Sequence, residues 1–269
     1  MSARTTGLRL PQRSERPRSR GLTMVIDNGM PLHAFEDAVD SASDYIDSVK
    51  FGWGTALVTA KLTEKIDCLR RSGIDYYFGG TLFEKFAIQH DFEAYLELCH
   101  SYGCPLIEIS NGTIPMSNRD KASYISRAAE EFTVLSEVGY KDSDRCLQLS
   151  GDDWARCIAE DLAAGATRVI TEARESGRSG ICRPDGTLRF ELIERILAAG
   201  TDANHLVFEA PTKELQSFFV KRIGPEVNLA NVAPTDVIGC ETLRLGLRSD
   251  TLMHYELEGR LEKELAAGA

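Results

Sequence analysis

From Thr23 onward the sequence alternates short apolar runs with longer amphipathic ones, eight times over, with no composition break between units. TMVID (23–27), YIDSVKFG (45–52), IDYYFGG (74–80), LIEIS (106–110), TVLSEVG (133–139), TRVITEA (167–173), HLVFEA (205–210) and EVNLANV (226–232) predict strands. Between and after them, residues 32–43, 63–73, 83–102, 120–131, 150–165, 189–200, 212–224 and 235–247 carry helical spacing, and Ser150 is placed to cap its helix. Strands apolar on both faces suit a parallel sheet covered by helices. An open doubly wound sheet normally carries a glycine fingerprint after its first strand, but here DNGMP follows it. The pattern therefore predicts an α/β fold, a single (βα)8 TIM barrel over residues 23–252.

The ends differ from the barrel. Residues 1–22 hold six arginines and one acid. The composition resembles a transit peptide, yet the amphipathic period is poor, so the segment reads as a disordered basic extension. Residues 253–269 read as a C-terminal helical tail. A net charge of -10 excludes general affinity for nucleic acid, although a few focused cations could still hold an anionic substrate. Seven cysteines without a C-x-x-C pair read as reduced thiols of a cytoplasmic protein, not as a zinc site. No apolar run approaches the ~20 residues of a membrane span. Apolar helix faces leave a homo-oligomer open.

In such a barrel, chemistry gathers where strands end. The polar residues at those ends are Asp27, Lys50, Gly79-Gly80-Thr81, Glu108 with Ser110, Glu137, Glu172 with Arg174, Glu209, and Asn228 with Asn231. Any one of them could be a solvated terminus or half of a rim salt bridge. Together they point to an active site. Oxygen ligands on rigid strand ends suit Mg²⁺, and lysine or arginine beside them suits a phosphate or carboxylate. Lys50 admits three readings: a Schiff-base nucleophile, a proton donor beside a bound anion, or a partner for a rim glutamate. Lys141, just past the fifth strand, could act from its loop. The five histidines fall on helices or at the wrong end of a strand, which argues against histidine catalysis.

The blocks YIDSVKFGWGT, GGTLFE, LIEISNGT, VLSEVGYK, ITEARESG, VFEAP, VNLANV and ETLRLGLRSDTL occur in that order. Over residues 22–252 they resemble the phosphosulfolactate synthase family. The resemblance implies a (βα)8 barrel that adds sulfite to phosphoenolpyruvate, with Mg²⁺, giving (2R)-3-sulfo-2-phospholactate. It implies catalytic roles for Lys50, Lys141 and Glu172, with Lys141 favoured as proton donor and Lys50 as anion binder. It further implies metal ligands among Glu108, Glu137 and Glu209, and substrate contacts from Asp27, Arg174, Asn228, Asn231, Arg244 and Arg248. Asn28, Asn111, Tyr140 and Ala173 depart from the archaeal pattern and fit the bacterial branch. Gly52 and Gly54 are expected to let a loop carrying Trp53 close over the substrate. The alternatives are a related barrel lyase or aldolase, and a non-catalytic stress-associated barrel protein.

Overall fold

The computed structural model describes residues 7–174 and 176–255. Its strands are β1 Thr23–Asp27, β2 Ser48–Phe51, β3 Asp75–Phe78, β4 Leu106–Ile109, β5 Thr133–Val138, β6 Arg168–Thr171, β7 Leu206–Glu209 and β8 Leu229–Val232. Its helices are α1 Leu32–Ala42, α2 Leu62–Arg71, α3 Gly80–Ala87, α4 Phe92–Ser101, α5 Asn118–Ala128, α6 Ser143–Gln148, α7 Gly151–Ala163, α8 Phe190–Ala198, α9 Lys213–Ile223 and α10 Val237–Arg244. All strand pairs are parallel, in the order β3-β2-β1-β8-β7-β6-β5-β4. The two end strands, β3 and β4, lie side by side and nearly close the barrel. The expected TIM barrel is what the chain forms.

Two apolar cores follow from the alternation of side chains along each strand. Outward residues such as Val49, Phe51, Ile107, Val169 and Phe208 meet the apolar stripes of the helices. Inward residues Met24, Tyr77, Leu135, Ile170, Val207 and Ala230 form a separate plug inside the barrel. Each large aliphatic group fully buried there contributes about 1.5–3 kcal/mol. Helix starts are fixed locally: Ser150 and Asp153 form a reciprocal capping box on α7, and Ser117 caps α5.

The structure differs from the sequence reading in three places. The single helix expected over 83–102 is two, α3 and α4, broken where His90 takes φ 58. Helix α6, whose polar SDRCLQ sequence reads as loop, is additional. The arginine-rich extension has no regular secondary structure in residues 7–22, but from Arg13 on it is tied to the barrel base. Arg13 pairs with Glu226 at 2.7 Å and Glu241 at 3.0 Å, and Arg18 pairs with Asp47 at 3.0 Å. Residues 252–255 are helical, and the rest of the expected C-terminal tail, like residues 1–6, lies outside the described residues. No helix among the described residues is long and apolar enough to cross a membrane.

Candidate active site

The inward columns of the strands end in charge. Above the apolar plug, β2 presents Lys50, β4 Glu108, β5 Glu137, β7 Glu209, and the residue after β6 is Glu172. Together with Ile26, Trp53, Gly79, Gly80, Thr81, Lys141, Arg174 and Asn231 they line a narrow cleft, about 20 Å³, at the C-terminal ends of the strands. A larger cleft, about 350 Å³, lies outside the barrel between the starts of α7 and α8. Its buried Arg189 is spent on the carbonyls of Cys146, Gly180 and Leu149, and none of its residues lies at a strand end.

The two lysines sit in separate carboxylate pairs. Lys50 Nζ lies 3.3 Å from Glu209 and 3.5 Å from Glu108. Lys141 Nζ lies 3.1 Å from Glu137 and 3.4 Å from Glu172. Burial alone would lower both ammonium pKa values, but the neighbouring carboxylates win and raise them. Both lysines are therefore held charged.

The carboxyls divide. Burial pushes Glu108 up to about 7, with Lys50 opposing. Burial and the charges of Glu137 and Glu209 push Glu172 well above the usual carboxylate range. Glu137 goes the other way: burial raises it, yet Lys141 and Lys50 outweigh that and hold it at about 2. Two like groups a few ångströms apart are thus prepared for opposite protonation states, the pattern that separates acid from base.

Backbone contacts hold this arrangement. Gly80 N–H donates to Glu108 Oε1 at 2.6 Å, and a Cβ on Gly80 would come within 2.8 Å of that same oxygen. Ala173 N–H donates to Glu209 Oε2 at 2.8 Å, and Arg174 N–H to Glu172 Oε1 at 2.6 Å. Asn231 Nδ2 donates to Glu209 Oε1 at 2.5 Å. Beneath the site, fully buried Lys121 donates to the Glu137 carbonyl and pairs with Asp161 at 2.7 Å. Among the described residues, three of the four non-glycine positions with positive φ line the cleft: Trp53 at 50°, Arg174 at 56° and Asn231 at 56°. Such conformations cost about 1–3 kcal/mol each and collect at functional sites. The left-handed residue of the β2–α2 loop is Trp53 itself, not Gly52 or Gly54.

Four expected contacts are not brought to the cleft. Asp27 faces outward, opposite in alternation to inward Ile26, and is spent on Gly29 N–H, Met30 N–H and Lys65 of α2. Asn228 stands at the opposite end of the barrel, because β8 begins only at Leu229. It accepts from Leu22 N–H and donates to the Asn204 and Leu206 carbonyls. Arg244 is fully buried at that same end, on the Pro225, Val227 and Leu22 carbonyls. Arg248 lies beyond α10, paired with Asp250 at 3.6 Å.

Sequence reasoning also missed two groups. Glu84 on α3 accepts from Ser110 Oγ, Thr113 N–H and Ile114 N–H, fixing the loop after β4. Tyr77, in register with Lys50, buries its ring in the plug and leaves its hydroxyl without a hydrogen-bond partner. Burial pushes that phenol well up, so it stays protonated. The register itself was the available signal, since a tyrosine two residues before Gly79 must share Lys50's inward face.

Three buried oxygens around the cleft make no hydrogen bond: Glu108 Oε2 and Glu172 Oε2, which face the ammoniums of Lys50 and Lys141 at 3.5 and 3.4 Å, and Asn231 Oδ1. They are hard donors of the kind Mg²⁺ takes. Among the described residues no three or more histidine, cysteine, aspartate or glutamate side chains form a ready cage.

The profile of the (2R)-phospho-3-sulfolactate synthase (ComA) family matches residues 11–250. The chain is 53% identical over 244 residues to the phosphosulfolactate synthase of Bacillus subtilis (strain 168), covering 91% of this chain and 97% of that one. It is 42% identical over 246 residues to the phosphosulfolactate synthase of Methanothermobacter thermautotrophicus, covering 90% and 95%. Among solved structures, 3-hexulose-6-phosphate synthase from Salmonella typhimurium matches with a TM-score of 0.54 at 13% identity, covering 87% and 99%, a likeness of fold alone.

Proposed function

We propose, because the chain belongs to the phosphosulfolactate synthase family and is an enzyme of that family, that its barrel mouth joins sulfite to phosphoenolpyruvate to form (2R)-3-sulfo-2-phospholactate. The observation that carries this reading is the pair of lysines kept as ammoniums by buried carboxylates in one cleft, with exposed Arg174 at its rim. Two anions must meet there, and focused cations offset their repulsion.

The sulfur lone pair of sulfite attacks C3 of the enol phosphate and forms the carbon–sulfur bond. The C2–C3 π pair moves through C2 onto the carboxylate, giving an aci-carboxylate. A proton delivered to C2 returns that pair to a carbon–hydrogen bond, and no group leaves. Lys141 is the proton donor in this reading, and protonated Glu172, 3.4 Å away, resupplies it. Lys50 and Arg174 hold the substrate anions, and Trp53 excludes water. Mg²⁺, held by Glu108 with Asn231 beside it, would supply charge stabilisation at the carboxylate.

A Schiff-base aldolase reading needs a neutral amine, and both lysines are raised, not lowered. A non-catalytic scaffold would have no reason to keep four buried carboxylates around them. Phosphorus NMR of the protein with phosphoenolpyruvate, sulfite and Mg²⁺ tests the proposal. A new phosphate-ester resonance that needs sulfite and disappears with EDTA is the expected result. Unchanged phosphoenolpyruvate with folded protein overturns it.

A further inference from the structure

We propose that the base of the barrel holds a second binding site, for a phosphate group, either free or carried on a small monoester. The inward columns that end in charge at the mouth also begin in polarity at the other end. Below Lys50 on β2 lies Ser48, and below Ile170 on β6 lies Arg168. With Arg16 and Arg18 of the extension these line a cleft of about 140 Å³ whose floor is Met24, Leu106 and Leu135. The apolar plug separates it from the mouth.

Two donors in this cleft have no partner. Ser48 is 4% exposed, faces inward by strand alternation, and its Oγ makes no hydrogen bond. Arg168 donates through Nη2 to the Ser19 carbonyl at 3.1 Å, while its buried Nε has no acceptor. Burial lowers the Arg168 pKa, with Asp47 opposing, so an anion placed there would relieve a desolvated guanidinium. Such groups are expensive to leave unsatisfied.

The charge balance favours an anion. Arg16, Arg18 and Arg168 face Asp47 and Asp75, three cations against two carboxylates. Asp47 is already engaged by Arg18 at 3.0 Å and Thr23 N–H at 2.8 Å. The donors come from three directions: β2 and β6 supply the unpartnered Ser48 Oγ and Arg168 Nε, and the extension supplies Arg16 and Arg18, whose guanidiniums also bind the Ser43, Gly73 and Asp44 carbonyls. A tetrahedral phosphate can meet all three, whereas a planar carboxylate is satisfied by one guanidinium fork. A bound phosphate would tie the extension to two strands.

The site is independent of the reaction at the mouth, and calorimetric titration with inorganic phosphate tests it separately. A Lys50→Met/Arg174→Ala protein, which lacks both groups proposed to hold anions at the mouth, is expected still to bind one phosphate per chain. Adding Arg168→Leu should weaken that binding at least about tenfold, the loss expected for one charge-assisted contact. Arg168→Leu alone should leave turnover unchanged. Absence of phosphate binding in the mouth variant, or binding indifferent to Arg168→Leu, overturns the proposal. Should Arg168→Leu fail to fold, Ser48→Ala decides: it removes only an unpartnered hydroxyl, so weakened binding supports the site and unchanged binding overturns it. Methyl phosphate binding as tightly as inorganic phosphate would identify a monoester, weaker binding the free ion; both support the site.

Discussion

Glu108→Gln keeps the shape of the side chain and its acceptor for Gly80 N–H, and removes only the charge. In the folded chain burial lifts this carboxyl from 4.5 to about 7. Folding therefore takes up a proton between those values, and stability falls as pH rises through them. At about 1.36 kcal/mol per pH unit the ionised side chain costs roughly 3 kcal/mol above pH 7. The attraction to Lys50 is already contained in that pKa, so glutamine should recover most of the cost. The gain should be near zero at pH 4.5 and about 3 kcal/mol at pH 8, equivalent to ~6–12 °C in melting temperature. Urea denaturation with EDTA present, at both pH values, reads it directly. Glu137→Gln is the control with the opposite sign. That carboxyl is held at about 2, so its ionisation stabilises the fold above pH 4.5 and the benefit fades as pH falls toward 2. Its glutamine variant should lose about 3 kcal/mol at pH 8. Equal stability of wild type and Glu108→Gln at pH 8, or a less stable variant, would refute the electrostatic reasoning.

Lys141→Met should lower the proposed turnover by about 10²-fold or more with the circular dichroism spectrum intact, and a variant of full activity would remove the lysine from the chemistry. Arg244→Met should cost about 3 kcal/mol or more, because three buried carbonyls lose their donor, while KM for phosphoenolpyruvate stays the same; a shifted KM would return Arg244 to the substrate. Gly180→Ala should unfold the loop after β6 and reduce turnover: Gly180 has φ 63 and its Cβ would fall 1.7 Å from the Glu172 carbonyl. Proteolysis confined to residues 174–189 is the expected signature, and an unaltered cleavage pattern would count against it.

The fold was legible because each βα unit carries its own periodicity, and covered parallel strands leave continuous apolar runs. The rim carboxylates were legible for a related reason: charge at the end of such a run has little structural excuse. What stayed hidden depends on register. Asn228 reads as a strand-end residue only if β8 is extended to 226, whereas the ladder begins at Leu229. Asp27 and Lys50 look equivalent in sequence, yet alternation sends one to the helix layer and the other to the cleft. Arg244 shows no sequence sign of burial, since a fully enclosed arginine is recognised only by the carbonyls that surround it. The arginines of the extension carry no periodicity because they bind carbonyls and acids one at a time.

The apolar plug also keeps the two polar layers of the barrel physically apart. With Leu135, Ile170 and Val207 between them, no ion pair bridges the charged layers at the two ends among the described contacts. Substitutions in one layer can then accumulate without forcing changes in the other. A mutational library confined to the mouth should explore new substrates on an undisturbed frame, which is one physical reason a barrel of this kind can diverge in chemistry while keeping its architecture.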